Sequence, residues 1–112
     1  MGKVKNNIEV VPSSGNVFAD LGLPNAEEKQ TKARLAFAVN EIMRSQQLSQ
    51  VEAARRLNVN QPKISALRNY RLQGFPVERL MKFLTALDRD VEIVIHRKPR
   101  SSKGGRILVT AA

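Results

Sequence analysis

The side chains that could do covalent chemistry are few, and their spacing argues against an enzyme. The chain has no cysteine and a single histidine, His96, so it offers no thiol nucleophile, no Cys-based zinc site and no second imidazole for a metal. Glu27-Glu28 and Asp88/Asp90 are acid pairs, but their places fit a helix N-terminus and a helix-to-strand turn. Neither a GxGxxG nor a GxxxxGK[ST] element occurs, and Gly104-Gly105 sits in a basic tail as a linker signal. No catalytic residue, cofactor or metal is expected. His96 reads as a solvent-facing or interface residue on a strand.

What the sequence does concentrate is positive charge. Nineteen Lys and Arg against ten Asp and Glu give a net charge of +9, for which a polyanion is the natural partner. The excess lies in two places. Residues 49–73 carry Arg55, Arg56, Lys63, Arg68 and Arg71 against Glu52 alone, and residues 97–112 carry Arg97, Lys98, Arg100, Lys103 and Arg106 against no acid. The second run is equally readable as a solvated tail. The first lies inside a periodic, foldable pattern.

That pattern is SQVEAARRLNVNQPKISALRN, residues 49–69. Ser49 is a good N-cap for a short helix through Ala53, Ala54 and Leu57, and Asn58 tolerates the left-handed conformation that ends helices. A second short helix begins near Asn60, with Pro62 in the first turn, where a missing N–H is harmless. Ala54 is small enough for two helices to cross, and Ala53, Leu57, Val59, Ile64 and Leu67 are apolar anchors. The outward face of the second helix is left with Asn60, Gln61, Lys63, Ser65, Arg68 and Asn69. This is a helix-turn-helix arrangement, whose second helix suits the major groove of a duplex.

The elements around it must hold that pair in place. Asn25 is a plausible N-cap for a long helix to Gln47, uninterrupted by Gly or Pro, with Leu35, Val39, Ile42 and Met43 at helical spacing and Phe37 and Ala38 widening the stripe. Pro76 opens a further helix with Leu80, Phe83, Leu84 and Leu87 on one stripe. After Asp88 the period becomes two: Val91, Ile93 and Ile95 alternate with Glu92, Val94 and His96, as in a β-strand. Ile107–Thr110 reads as a second short strand beyond a Ser-Ser-Lys-Gly-Gly connector. Residues 1–15 read as a flexible N-terminal arm, 16–90 as the helix-turn-helix domain, and 91–112 as strand and basic tail. A lone strand needs a partner. The choices are a hairpin with 107–110 or the same strand of a second copy in a two-fold dimer, and the second is the expected use. With no apolar run near the length of a membrane span and no signal-peptide h-region, no membrane partner and a cytoplasmic location are expected.

Residues 49–69 resemble the DNA-binding domains of the Xre/Cro/phage-repressor class, and the likeness extends over residues 26–88. Asn58 stands where many members have Gly. With VFADLGLPNAEE at 17–28, NYRLQGFPVERLMKFLTALDRDVEIVI at 69–95 and its short length, the chain resembles the HigA-type antitoxin branch. The resemblance implies a mainly α, phage-repressor-like bundle. It implies that Gln50 holds a phosphate, that Asn60, Gln61, Lys63 and Ser65 face base edges, and that Arg68 and Arg71 clamp phosphates, with Arg55 and Arg56 in a similar role. The implied partners are a palindromic operator in double-stranded DNA, a second copy of the chain and a small ribonuclease-type toxin. The competing readings are a stand-alone regulator without a toxin, and an architectural or RNA-binding module that uses charge without reading bases.

Overall fold

A computed structural model describes residues 26–98 and 104–111. The N-terminal arm expected over 1–15, the packing piece at 16–25 and the connector at 99–103 lie outside the described residues. Four helices are present among the described residues: α1 (Ala26–Ser45), α2 (Gln50–Leu57), α3 (Gln61–Arg68) and α4 (Val77–Ala86).

Each helix forms for local reasons. The first turn of α1 carries Glu27 and Glu28, and its last turn carries Arg44, both matched to the helix dipole. Ser49 caps α2 in a full capping box: its hydroxyl accepts from the Glu52 N–H at 3.1 Å, and its own N–H donates to the Glu52 carboxylate at 2.9 Å. Asn60 caps α3, accepting from the Lys63 N–H at 3.0 Å, with Pro62 in the first turn. Pro76 precedes α4 with its fixed φ and makes no side-chain cap.

All four helices end by the same device. Gln47, Asn58, Tyr70 and Asp88 have φ of 55°, 57°, 59° and 65°, and none is glycine. In each case the next residue donates back across the turn: Leu48 to Met43, Val59 to Ala54, Arg71 to Ala66 and Arg89 to Leu84, at 2.9–3.0 Å. This closes orphan carbonyls of the last turn. Of the four, the sequence predicts only Asn58 in this role.

The helices pack α1 against α4 and α2 against α3 around one aliphatic core. Leu35, Ala36, Val39 and Met43 of α1 meet Ala53, Ala54 and Leu57 of α2, Ile64 and Leu67 of α3, and Leu80, Phe83, Leu84 and Leu87 around α4. Phe75, from the loop before α4, is 1% exposed and meets Phe83 edge-on, with centroids 5.9 Å apart. Ile42 lies at the edge of this core rather than inside it, and Phe37, expected to widen the α1 stripe, is 41% exposed.

The strands expected at the C-terminus are not formed: among the described residues there is no strand. The described residues give 91–97 no second edge, because the segment proposed for a hairpin is engaged elsewhere. The Ile107 N–H donates to the Glu27 carboxylate at 2.6 Å, and Val109 packs against the helical core. Val91, Ile93, Val94 and Ile95 are left exposed.

Candidate nucleic-acid interface

The turn between α2 and α3 is held from both sides. Asn58 reverses the chain in the left-handed region, and Ala53 and Ala54 are buried where α2 meets its neighbours. Ile64 and Leu67, both 0% exposed, anchor α3 from beneath. With about 3.6 residues per turn, this inward pair leaves Gln61, Ser65 and Asn69, at i, i+4 and i+8, along one line of the helix. Gln61 and Asn69 are exposed and Ser65 is half-buried.

The first residues of the two helices touch. Gln50 opens α2, is half-buried, and donates from Nε2 to the Gln61 carbonyl at 3.3 Å. The N-termini of α2 and α3 are thereby brought side by side, which suits a phosphate on Gln50 next to a base contact by Gln61.

Other expected readers are committed in part to the fold. The Asn60 side-chain oxygen is occupied by its cap bond, which leaves its amide group as the free end for a base. Lys63 is half-buried, with its Nζ 4.9 Å from the centroid of the Phe75 ring. Its ammonium therefore rests on an aromatic platform instead of standing straight out from α3. Arg68 is exposed and donates from Nη2 to the Leu48 carbonyl at 3.0 Å, and Arg71, just past Tyr70, is exposed.

Arg55 and Arg56 part company. Arg55 is exposed on α2. Arg56 reaches across to the end of α4, with its Nη2 3.6 Å from the Asp88 carboxylate and 3.4 Å from the Ala86 carbonyl. That makes Arg56 a tie between elements.

Glu52, the one acid among residues 49–73, is engaged in the capping box. The Ser49 backbone N–H, then the Ser49 hydroxyl and the nearby Arg55 charge, hold its carboxyl below the ordinary glutamate range. It is the acid of a cap, and α3 itself carries none.

Sequence reasoning missed the groups that position α3 from behind. Asn40 of α1 donates from Nδ2 to the Leu67 carbonyl at 3.1 Å, and Lys32 donates from Nζ to the Leu72 carbonyl at 3.4 Å. Nothing local marks these residues, since their partners lie 27 and 40 positions away. Phe75 could have been found, as a lone aromatic between Gly74 and Pro76 just ahead of an amphipathic helix.

Comparison with known proteins agrees with this geometry. Residues 17–96 match the model of a family described as "Helix-turn-helix domain". No curated protein matches the chain. A solved structure carrying the provisional description of an XRE family transcriptional regulator is 63% identical, with a TM-score of 0.76. The match covers 80% of this chain and 100% of that one. The likeness is to a regulator, not to an enzyme, and it does not single out an antitoxin branch. On the match of residues 17–96 and the identity to that regulator, the chain belongs to the XRE-type helix-turn-helix family of transcriptional regulators.

Proposed function

We propose that this protein is a sequence-specific repressor that binds a palindromic operator as a homodimer, with α3 in the major groove of each half-site. The observation that carries the reading is the arrangement of α3: an acid-free outward line of Gln61, Ser65 and Asn69. Beside it the N-terminus of α2 is tied to Gln61, and Arg68 and Arg71 follow. Gln61 has the geometry to pair bidentately with adenine, and Lys63 can donate to guanine O6 and N7 once it leaves the Phe75 ring. Arg68 and Arg71 supply phosphate contacts without base preference.

Binding selection on random duplexes tests this. A repressor discriminates among duplexes by about 10³-fold or more. The Gln61→Ala/Lys63→Ala double variant is expected to relax the selected sequence, and Arg68→Ala to weaken all duplexes alike. If the double change leaves the preferred sequence unaltered, the docking is wrong. Nearly equal affinity for all duplexes with a steep salt slope would instead favour an architectural role, to which the basic run at 97–112 is suited.

In its finer form the reading is an antitoxin. It is supported by the resemblance at 17–28 and 69–95. Residues 1–15 would fold onto a small ribonuclease-type toxin while the helix-turn-helix represses the shared operon. A neighbouring reading frame of such a toxin, co-purifying with this chain, is the expected finding. A harmless chain with an unrelated neighbour would leave the stand-alone regulator, and either would act in the cytoplasm.

A further inference from the structure

Gly74, in the loop between α3 and α4, is not called for by its own backbone, because its φ is not positive. A Cβ built on it would lie 2.9 Å from the Lys63 Nζ and, chain neighbours aside, would have no other heavy atom within 4 Å. The side chain missing at position 74 is therefore matched to one group, the ammonium of Lys63. The same ammonium rests 4.9 Å from the centroid of the Phe75 ring, which is buried and braced edge-on by Phe83.

We infer that Gly74 and Phe75 form a seat that stores the Lys63 ammonium in the free chain, and that Lys63 reaches a base only by leaving it. Gly74 is then a positioning residue for recognition, acting through Lys63 by having no side chain of its own. This rests on the repressor reading above and adds to it what sets the availability of one reader.

The hold is of a kind that can be released. Among the described residues the Lys63 ammonium makes no ion pair and no hydrogen bond, and only the ring faces it. Lys32 and Arg68, by contrast, are held by main-chain carbonyls. A cation over an aromatic face is weakly held, and a bidentate contact to guanine O6 and N7 outweighs it. While the ammonium is seated it adds nothing at a base. The affinity observed is then the intrinsic one reduced by the fraction of chains with Lys63 out of the seat. A hold of this type lowers that fraction about 2–5-fold.

Gly74→Ala is the direct test. The new Cβ meets only the far end of a flexible side chain, so the fold is kept while the ammonium is displaced, and circular dichroism checks this. Phe75→Leu is the second variant, which removes the ring and leaves Gly74 in place. In the free wild-type chain the Lys63 ε-methylene protons, assigned with Lys63→Met, are expected upfield of those of the other lysines because of the ring beside them. Both variants should return them to the ordinary lysine position. A wild-type Lys63 signal among the other lysines, or one that stays upfield in Gly74→Ala, overturns the seat. No DNA enters this readout, so it stands or falls apart from the repressor reading.

The second readout is affinity for the duplex that the wild-type chain selects from a random pool. Gly74→Ala is expected to bind it about 2–5-fold more tightly per half-site. The gain should be absent in the Gly74→Ala/Lys63→Met double variant and smaller on a duplex of scrambled sequence. No gain, or a gain that survives Lys63→Met, overturns the role of the seat in reading. An equal gain on scrambled DNA overturns it too, because the freed ammonium then meets phosphates alone. If the wild-type chain selects no duplex, the repressor reading fails and takes this role with it, while the proton shifts still decide the seat.

Discussion

Replacing Phe75 by leucine tests whether the ring beneath α3 holds Lys63. Phe75 is 1% exposed, contacts Phe83 edge-on at 5.9 Å, and lies under the Lys63 Nζ at 4.9 Å. Leucine keeps most of the apolar bulk, so the packing loss stays below about 1.5 kcal/mol. Losing the aromatic pair adds about 0.5–1.5 kcal/mol, and losing the cation over the ring about 0.5–1 kcal/mol. The total, about 1–4 kcal/mol, leaves a domain of this size folded. With a urea slope of about 1 kcal/mol/M, the unfolding midpoint should fall by about 1–4 M. Lys63→Met alone and in combination with Phe75→Leu then isolates the pair, with an expected coupling of about 0.5–1 kcal/mol. A coupling within about 0.3 kcal/mol of zero would show that the ammonium gains nothing from the ring, and the positioning assigned to Lys63 would fall.

Further perturbations probe the scaffold. Ser49→Ala should lower stability by about 1 kcal/mol through loss of the α2 cap. Because the Glu52 pKa is lower in the folded chain, its contribution is present above the ordinary glutamate pKa and lost as pH falls through the depressed value. Urea midpoints should therefore show Glu52→Ala as destabilising at neutral pH and nearly silent in acid, and an unchanged penalty in acid would refute the capping account. Gln47→Gly should raise stability by about 1 kcal/mol by removing a side chain from a left-handed position, with a smaller gain for Asn58→Gly. Arg56→Ala should cost at most about 1 kcal/mol and leave duplex affinity unchanged in a gel-shift titration, whereas a loss like that of Arg68→Ala would return Arg56 to the phosphate contacts.

What could be read in advance was whatever is written locally. Ser49, Asn58, Pro62 and Pro76 mark their own turns, and the apolar stripes of α1 and α4 repeat over several turns, so four helices were legible. The left-handed residues Gln47 and Tyr70 were not, because neither side chain favours that conformation and the packing imposes it. The face of α3 was legible, but the states of its members were not: Asn60 spends its oxygen on its own helix, and Lys63 leans on a ring twelve residues away. The alternation at 91–96 shows that a strand is possible there but not which edge it pairs with. The described residues supply none.

The fastening of α3, the helix proposed to read bases, bears on how such a protein can acquire a new target. Apart from Ile64 and Leu67 beneath it, α3 and its flanks are tied through main-chain carbonyls. Asn40 holds Leu67, Gln50 holds Gln61, and Lys32 holds Leu72. A carbonyl is the same whatever side chain its residue carries. The outward side chains of Gln61 and Ser65 can therefore be exchanged with little loosening of the mount, so specificity can drift or be redesigned by single substitutions while the fold remains intact. Lys63 and Asn60 are the exceptions, because the grip of the first on Phe75 and the cap bond of the second make these two proposed readers part of the mount, and changes there should alter recognition and stability together.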